Sequence, residues 1–199
     1  MPRAPGQIDE QKSQAIMQAA IDLFARKGAK ASMAEIARIA GVSKQTLYNR
    51  FPSKAELARA LLTERSLSIT APLETGHTPQ QALAAVGETM LNRIVLPNSA
   101  EHLRALAMVA REDRELAEAV FDAGPARSLR RISQWLTEQH QQGHLHIENP
   151  DEAAEIFIGM VLGHAHLRMV LGLIPADNNA AAHAHEVATR FVRAYAPGK

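Results

Sequence analysis

Ser32–Ser53 reads SMAEIARIAGVSKQTLYNRFPS, and these twenty-two residues decide the fold. Ser32 with Glu35 three residues later is a capping box, and Ile36, Ala37 and Ala40 give the helix it opens a narrow apolar face. Gly41 supplies a left-handed turn residue, which L-amino acids adopt only at a cost. Ser43 is an N-cap for a second helix, Lys44 to Arg50, and Pro52 ends it because its ring forbids continuation. Ser53 with Glu56 repeats the capping box and starts a third helix. Two short capped helices about a tight turn, followed at once by another, make a helix-turn-helix.

Side-chain directions on the second helix say what such a hairpin is for. With Leu47 as the inward anchor at 0°, Gln45 and Asn49 fall at about 160° and 200°, and Thr46 and Tyr48 lie at roughly 100° on either flank. The outermost face is two carboxamides, the groups that can bond N6 and N7 of adenine together, and the flanking hydroxyls suit phosphate oxygens. A plain solvated hairpin would need no basic rim, yet Lys44, Arg50 and Lys54 form one. Ser43, Lys44, Gln45, Thr46, Tyr48, Asn49, Arg50 and Lys54 are therefore the candidate contacts to double-stranded DNA.

Outward from this block, Ile16, Ala20, Leu23, Phe24 and Lys27 follow helical spacing up to Gly28, so a supporting helix precedes the reader. From Gln11 to Leu62, through AAIDLFARKG and SMAEIARIAGVSKQTLYNRFPSKAEL, the chain resembles the DNA-binding domain of TetR-family transcriptional regulators. The resemblance implies phosphate contacts at Thr46, Tyr48 and Lys54, and base reading at Gln45 and Asn49. Position 45 is often Gly in that family and position 50 often Tyr or His, so Gln45 and Arg50 imply an operator preference of their own. The segment from Arg111 to Gly172 resembles, more loosely, the C-terminal domain of the AefR-like branch. That implies a homodimer with a small-molecule effector pocket, and a helix after Ser53 that transmits induction.

Composition agrees. The 199 residues are 46% hydrophobic but include only eight Phe, Tyr and Trp, which favours helices over strands. The absence of cysteine excludes disulfides and thiol chemistry. The leading MPRAPGQ lacks the apolar stretch of a signal peptide, so a soluble cytoplasmic protein is expected. Residues 1–65 hold 11 Lys and Arg against 6 Asp and Glu, a charge of +5, whereas residues 66–199 hold 11 against 15, a charge of −4. Positive charge attracts phosphate, so the half with the helix-turn-helix is the half suited to DNA.

Further helices are expected from about Ser53 to Ile69, Thr78 to before Pro97, Asn98 or Ser99 to Arg111, Glu112 to Ala123, Ala126 to Gln142, Asn149 to Leu171, and from Asp177 to before Pro197. The fold is then all-α, with nine or ten helices. Residues 1–8 form a flexible tail, 9–53 the DNA-binding domain, 54–71 a connecting helix, and 72–199 a bundle for ligand binding and dimerisation. Ile156 to Ile174 approaches membrane-spanning length, but His164, His166 and Arg168 in its middle argue for a core or subunit-contact helix and no membrane. Gly159 and Gly163, with Val187, Phe191 and Tyr195 on the last helix, are candidates for a dimer interface. Met90, Ile94, Met108, Phe121, Trp135, Met160 and His164 are candidates for the pocket, since Met adapts to varied ligands and Trp or His adds one oriented hydrogen bond.

All nine histidines follow residue 76, and three HxH pairs invite a metal. In a helix, residues two apart diverge by some 200°, so His164/His166 and His183/His185 cannot chelate together. His144/His146 lie in a loop without an evident third ligand, and neither a metal nor a cofactor is expected. Ser133, His140 and Asp122 could supply enzyme chemistry, but no catalytic motif accompanies them. An architectural DNA-binding protein would leave the acidic C-terminal part without a task. The sequence reads as a ligand-responsive repressor, not an enzyme.

Overall fold

The computed structural model describes residues 5–75, 77–94, 114–173 and 179–198. Ten α-helices and no strand occur among the described residues: α1 Pro5–Lys27, α2 Met33–Ile39, α3 Lys44–Arg50, α4 Lys54–Thr70, α5 Pro79–Ile94, α6 Arg114–Ala123, α7 Pro125–Gln141, α8 Pro150–Leu162, α9 Ala165–Val170 and α10 Ala180–Ala194. Short 3-10 turns follow α1 and α4. α1 starts at Pro5, so residues 5–8 of the expected tail are its first turns. The helix expected over 98–111 lies outside the described residues, as does Asp177.

Two compact units divide within α4. One comprises Met1–Glu64 with Glu101–Ala123, and the other Arg65–Ala100 with Gly124–Lys199. In the first, Ile16, Ala20 and Leu23 of α1 pack with Met33, Ile36 and Ala37 of α2, Leu47 of α3 and Leu57 of α4. Ile16, Ile36, Leu47 and Leu57 are wholly buried, and burial of each such side chain is worth about 1.5–3 kcal/mol before ordering entropy is charged against it. Val120 of α6 packs with Ala58, so α6, expected within the C-terminal bundle, groups with the first unit.

In the second unit α5 and α10 pack closely because Gly87 has no side chain. A Cβ there would stand 3.2 Å from both the Ala184 Cβ and the Val161 Cγ2. Phe157 and Phe191 meet edge to face at 5.5 Å, and Phe191 stacks obliquely on Tyr195 at 4.6 Å. α4 joins α7 through buried hydroxyls, with Ser66 and Ser128 2.9 Å apart. Arg131 Nε donates to Thr70 Oγ1 over 2.9 Å, and its Nη2 reaches Glu74.

The run expected as one helix from Asn149 to Leu171 is two. Gly163 takes φ +43° and ψ −124°, ending α8, and His164 caps α9. Among the described residues, no helix is long and apolar enough to cross a membrane.

Candidate nucleic-acid interface

The turn that aims α3 is built from backbone bonds. Gly41, at φ +67°, lets its own N–H reach Arg38 O at 3.4 Å and lets Val42 N donate to Ala37 O at 3.0 Å, so the last carbonyls of α2 are satisfied. Ser43 Oγ accepts from Thr46 N at 3.0 Å and lies 2.8 Å from Thr46 Oγ1. α3 is thus capped by a hydroxyl pair, held down by buried Leu47, and stopped at Phe51, whose N–H donates to Leu47 O.

The opposite face is open. Ser43, Lys44, Gln45, Tyr48 and Asn49 are exposed, Tyr48 to 46%, while Thr46, Arg50 and Lys54 are half-buried. The structure brings the two carboxamides together, Gln45 Nε2 donating to Asn49 Oδ1 over 2.7 Å. The pair retains the Gln45 carbonyl as acceptor and the Asn49 amide as donor, the combination an adenine edge requires. Lys54 starts α4 beside the Ser53 cap, whose Oγ accepts from Glu56 N at 3.1 Å.

Arg50 differs from its fellow candidates. Its Nη1 donates to Ser13 Oγ on α1, so in this structure its guanidinium braces α3 against the supporting helix. Ser13 is a residue the sequence reading missed, and 37 positions of separation leave no local pattern to find it by. A second brace runs from Lys27 Nζ to Glu35 Oε1 at 2.5 Å. The bond from Lys27, then those from Ser32, hold the Glu35 carboxyl below its ordinary range, so the ion pair and the capping box depend on the same charge.

The C-terminal candidates are more scattered. Met90 and Met160 are half-buried, Trp135 is buried, and His164 is exposed at the start of α9. Phe121 is 59% exposed and groups with the first unit, which corrects its placement among the pocket residues of the C-terminal bundle. Met108 lies outside the described residues, as does the Ile94 side chain. Gly159 and Gly163 face open space, as a subunit contact needs. Val187 and Phe191 do not: both are buried in their own protomer's core, so these two are corrected from interface to core, while Tyr195 is half-buried against Phe191.

One member of each of two histidine pairs, and His140, bond within the chain. His144 Nδ1 lies 3.0 Å from Gln139 Oε1, His140 Nδ1 accepts from Ile147 N at 3.2 Å, and His183 Nε2 lies 3.1 Å from Val161 O. No group of three metal-ligating side chains occurs among the described residues. Ser133 donates to Asp151 at 2.5 Å, so its hydroxyl and His140 are both engaged in local structure.

Known proteins carry the same architecture. Residues 16–61 match the family model of the bacterial regulatory proteins of the tetR family, and residues 81–197 match that of the AefR-like transcriptional repressor C-terminal domain. The chain is 29% identical over 160 residues to the HTH-type transcriptional regulator SrpR of Pseudomonas putida, covering 77% of this chain and 73% of SrpR. The flavonoid-responsive regulator FrrA is 30% identical and superimposes with a TM-score of 0.70 over 96% of this chain and 100% of its own. A TetR-family regulator from Mesorhizobium loti MAFF303099, 22% identical, has the same fold at a TM-score of 0.75, covering 94% of this chain and 98% of that one. With the capped reader helix in one unit and the matched helical domain in the other, this chain belongs to the TetR family of transcriptional regulators, in its AefR-like branch.

Proposed function

We propose that the protein is a homodimeric, ligand-responsive repressor, which occupies a palindromic operator and leaves it when a small hydrophobic or amphipathic effector binds the C-terminal unit. The observation that carries the DNA-reading part is the exposed Gln45–Asn49 carboxamide pair, opposite buried Leu47 on a helix braced by Arg50. Ser43, Lys44, Thr46, Tyr48 and Lys54 contact phosphates around it and set register, while the carboxamides specify sequence. Response to an effector is supported by the 30% identity to FrrA, a flavonoid-responsive regulator.

Dimerisation is supported by the outer face of α8 and α9. Ile156, Leu167 and Leu171 are exposed there, and Gly159 and Gly163 leave room for a second backbone. A two-fold pair would present two α3 helices to successive major grooves, about 34 Å apart, and so select a palindrome.

Selection of bound fragments from sheared genomic DNA by the purified protein tests the reading. One enriched palindrome, bound tightly with moderate salt dependence, is the expected result. Recovery of random DNA with a steep salt slope would instead mean that α3 grips backbone only.

A further inference from the structure

Gln45 and Asn49 stand four positions apart on α3, so their side chains share one stripe of the helix, and both are exposed. The bond from Gln45 Nε2 to Asn49 Oδ1, at 2.7 Å, does more than join them. A carboxamide has a donor end and an acceptor end, and a lone Gln or Asn can turn either one toward a base. Here each amide commits one end to the other, which leaves the Gln45 carbonyl to accept and the Asn49 amide to donate. Turning over one amide breaks the bond. Turning over both keeps it, and still leaves one acceptor beside one donor.

In the major groove adenine alone presents a donor beside an acceptor on one base, N6–H and N7. Guanine offers two acceptors, N7 and O6, so the Gln45 carbonyl would face an oxygen with no proton between them. Cytosine offers a donor alone, and thymine an acceptor beside a methyl group. Adenine N6 carries two hydrogens. One is given to thymine O4 in the base pair, and the other points into the groove on the N7 side. A methyl group on N6 that leaves the base pair intact takes the place of this second hydrogen.

We propose that the joined pair reads one adenine in each half-site, N6–H donating to Gln45 Oε1 and Asn49 Nδ2 donating to N7, so that methylation of that adenine at N6 weakens operator binding. The methyl group removes the proton that Gln45 accepts and occupies the place of contact, leaving the carbonyl desolvated and unpaired at the base edge. Adenine methylation then acts on the operator itself, as an input separate from any effector in the C-terminal unit. The inference rests on the reading of α3 as the base-reading helix, and the two fail differently.

Equilibrium binding of the full-length protein to the enriched site tests it. Each adenine is replaced in turn, in both half-sites together, by N6-methyladenine or by 7-deazaadenine, which lacks the N7 acceptor. At one adenine per half-site each replacement should weaken binding about tenfold. Gln45→Ala should reduce the methyl penalty to within about twofold and keep the 7-deaza penalty, and Asn49→Ala should do the reverse. Thermal melts and unchanged affinity for random duplex establish that both variants fold. An enriched site with no adenine sensitive to either replacement, or penalties that survive both substitutions, overturns the shared reading while leaving α3 as a base reader. A methyl penalty cancelled by Asn49→Ala in place of Gln45→Ala overturns the assignment of N6 to Gln45. Selection that enriches no site overturns both readings.

Discussion

Gln45 and Asn49 are joined through their own side chains, so substitutions at the two positions should be coupled. Gln45→Ala or Asn49→Ala should each cost about 1–3 kcal/mol at selected base pairs of the enriched site and little on random duplex. The double variant should cost less than the sum by about 0.5 kcal/mol or more, a coupling that a four-protein binding cycle measures directly. Lys54→Ala should weaken binding to every duplex and reduce the salt slope by about one. Glu35 carries a pH prediction. Its folded pKa is depressed by Lys27 and Ser32, so its stabilisation is complete above the ordinary Glu value of about 4.3 and is lost as pH falls through the lower folded value. Melting temperature should drop over that acid range, and Glu35→Gln should flatten the drop. The outward placement of Gln45, Tyr48 and Asn49 was legible because a helix fixes directions locally once Leu47 is known to face inward. The contact from Arg50 to Ser13 was not, because a long side chain has many rotamers and only the packing of α1 on α3 selects one.

Among the elements, α3 was readable to the residue, since its Ser43 cap and the stop before Pro52 are both local chemistry. The break between α8 and α9 escaped the same approach. Gly163 sits in a continuous apolar run, where a glycine reads equally as a small contact residue and as a positive-φ corner. Gly163→Ala meets no atom, so its whole effect is backbone strain, expected at roughly 1–3 kcal/mol and visible as a lower melting temperature. Gly87 is the opposite case. Gly87→Leu should cost about 1–3 kcal/mol or more through overpacking between α5 and α10, with far-UV helicity kept but unfolding shifted to lower denaturant. Val187 and Phe191 show why interface residues were hard to separate from core. Periodicity reveals that a face of α10 is apolar, but only the neighbours, Phe157 among them, show that the same protomer already covers it.

Along the whole chain, the separation of +5 in residues 1–65 from −4 in residues 66–199 gives its two ends opposite relations to DNA. If effector and operator favour different conformations, linkage requires that each weaken the other's binding by the same factor. Effector affinity measured with and without saturating operator should therefore change by the ratio seen in operator affinity, and an unequal ratio would sink the two-state reading. Sedimentation at micromolar concentration should give a dimer with and without operator. The self-paired carboxamides also bear on how such a regulator searches a genome. Because one hydrogen bond already joins Gln45 to Asn49 and both side chains are exposed, sliding over wrong sequence leaves that bond intact and water on the remaining groups, so the protein leaves such sites readily. At the operator the groups left over from that bond, the Gln45 carbonyl and the Asn49 amide, would give up water for a base edge. Discrimination then resides in dwell time, so single-molecule tracking of Gln45→Ala should show unaltered arrival and shortened stays.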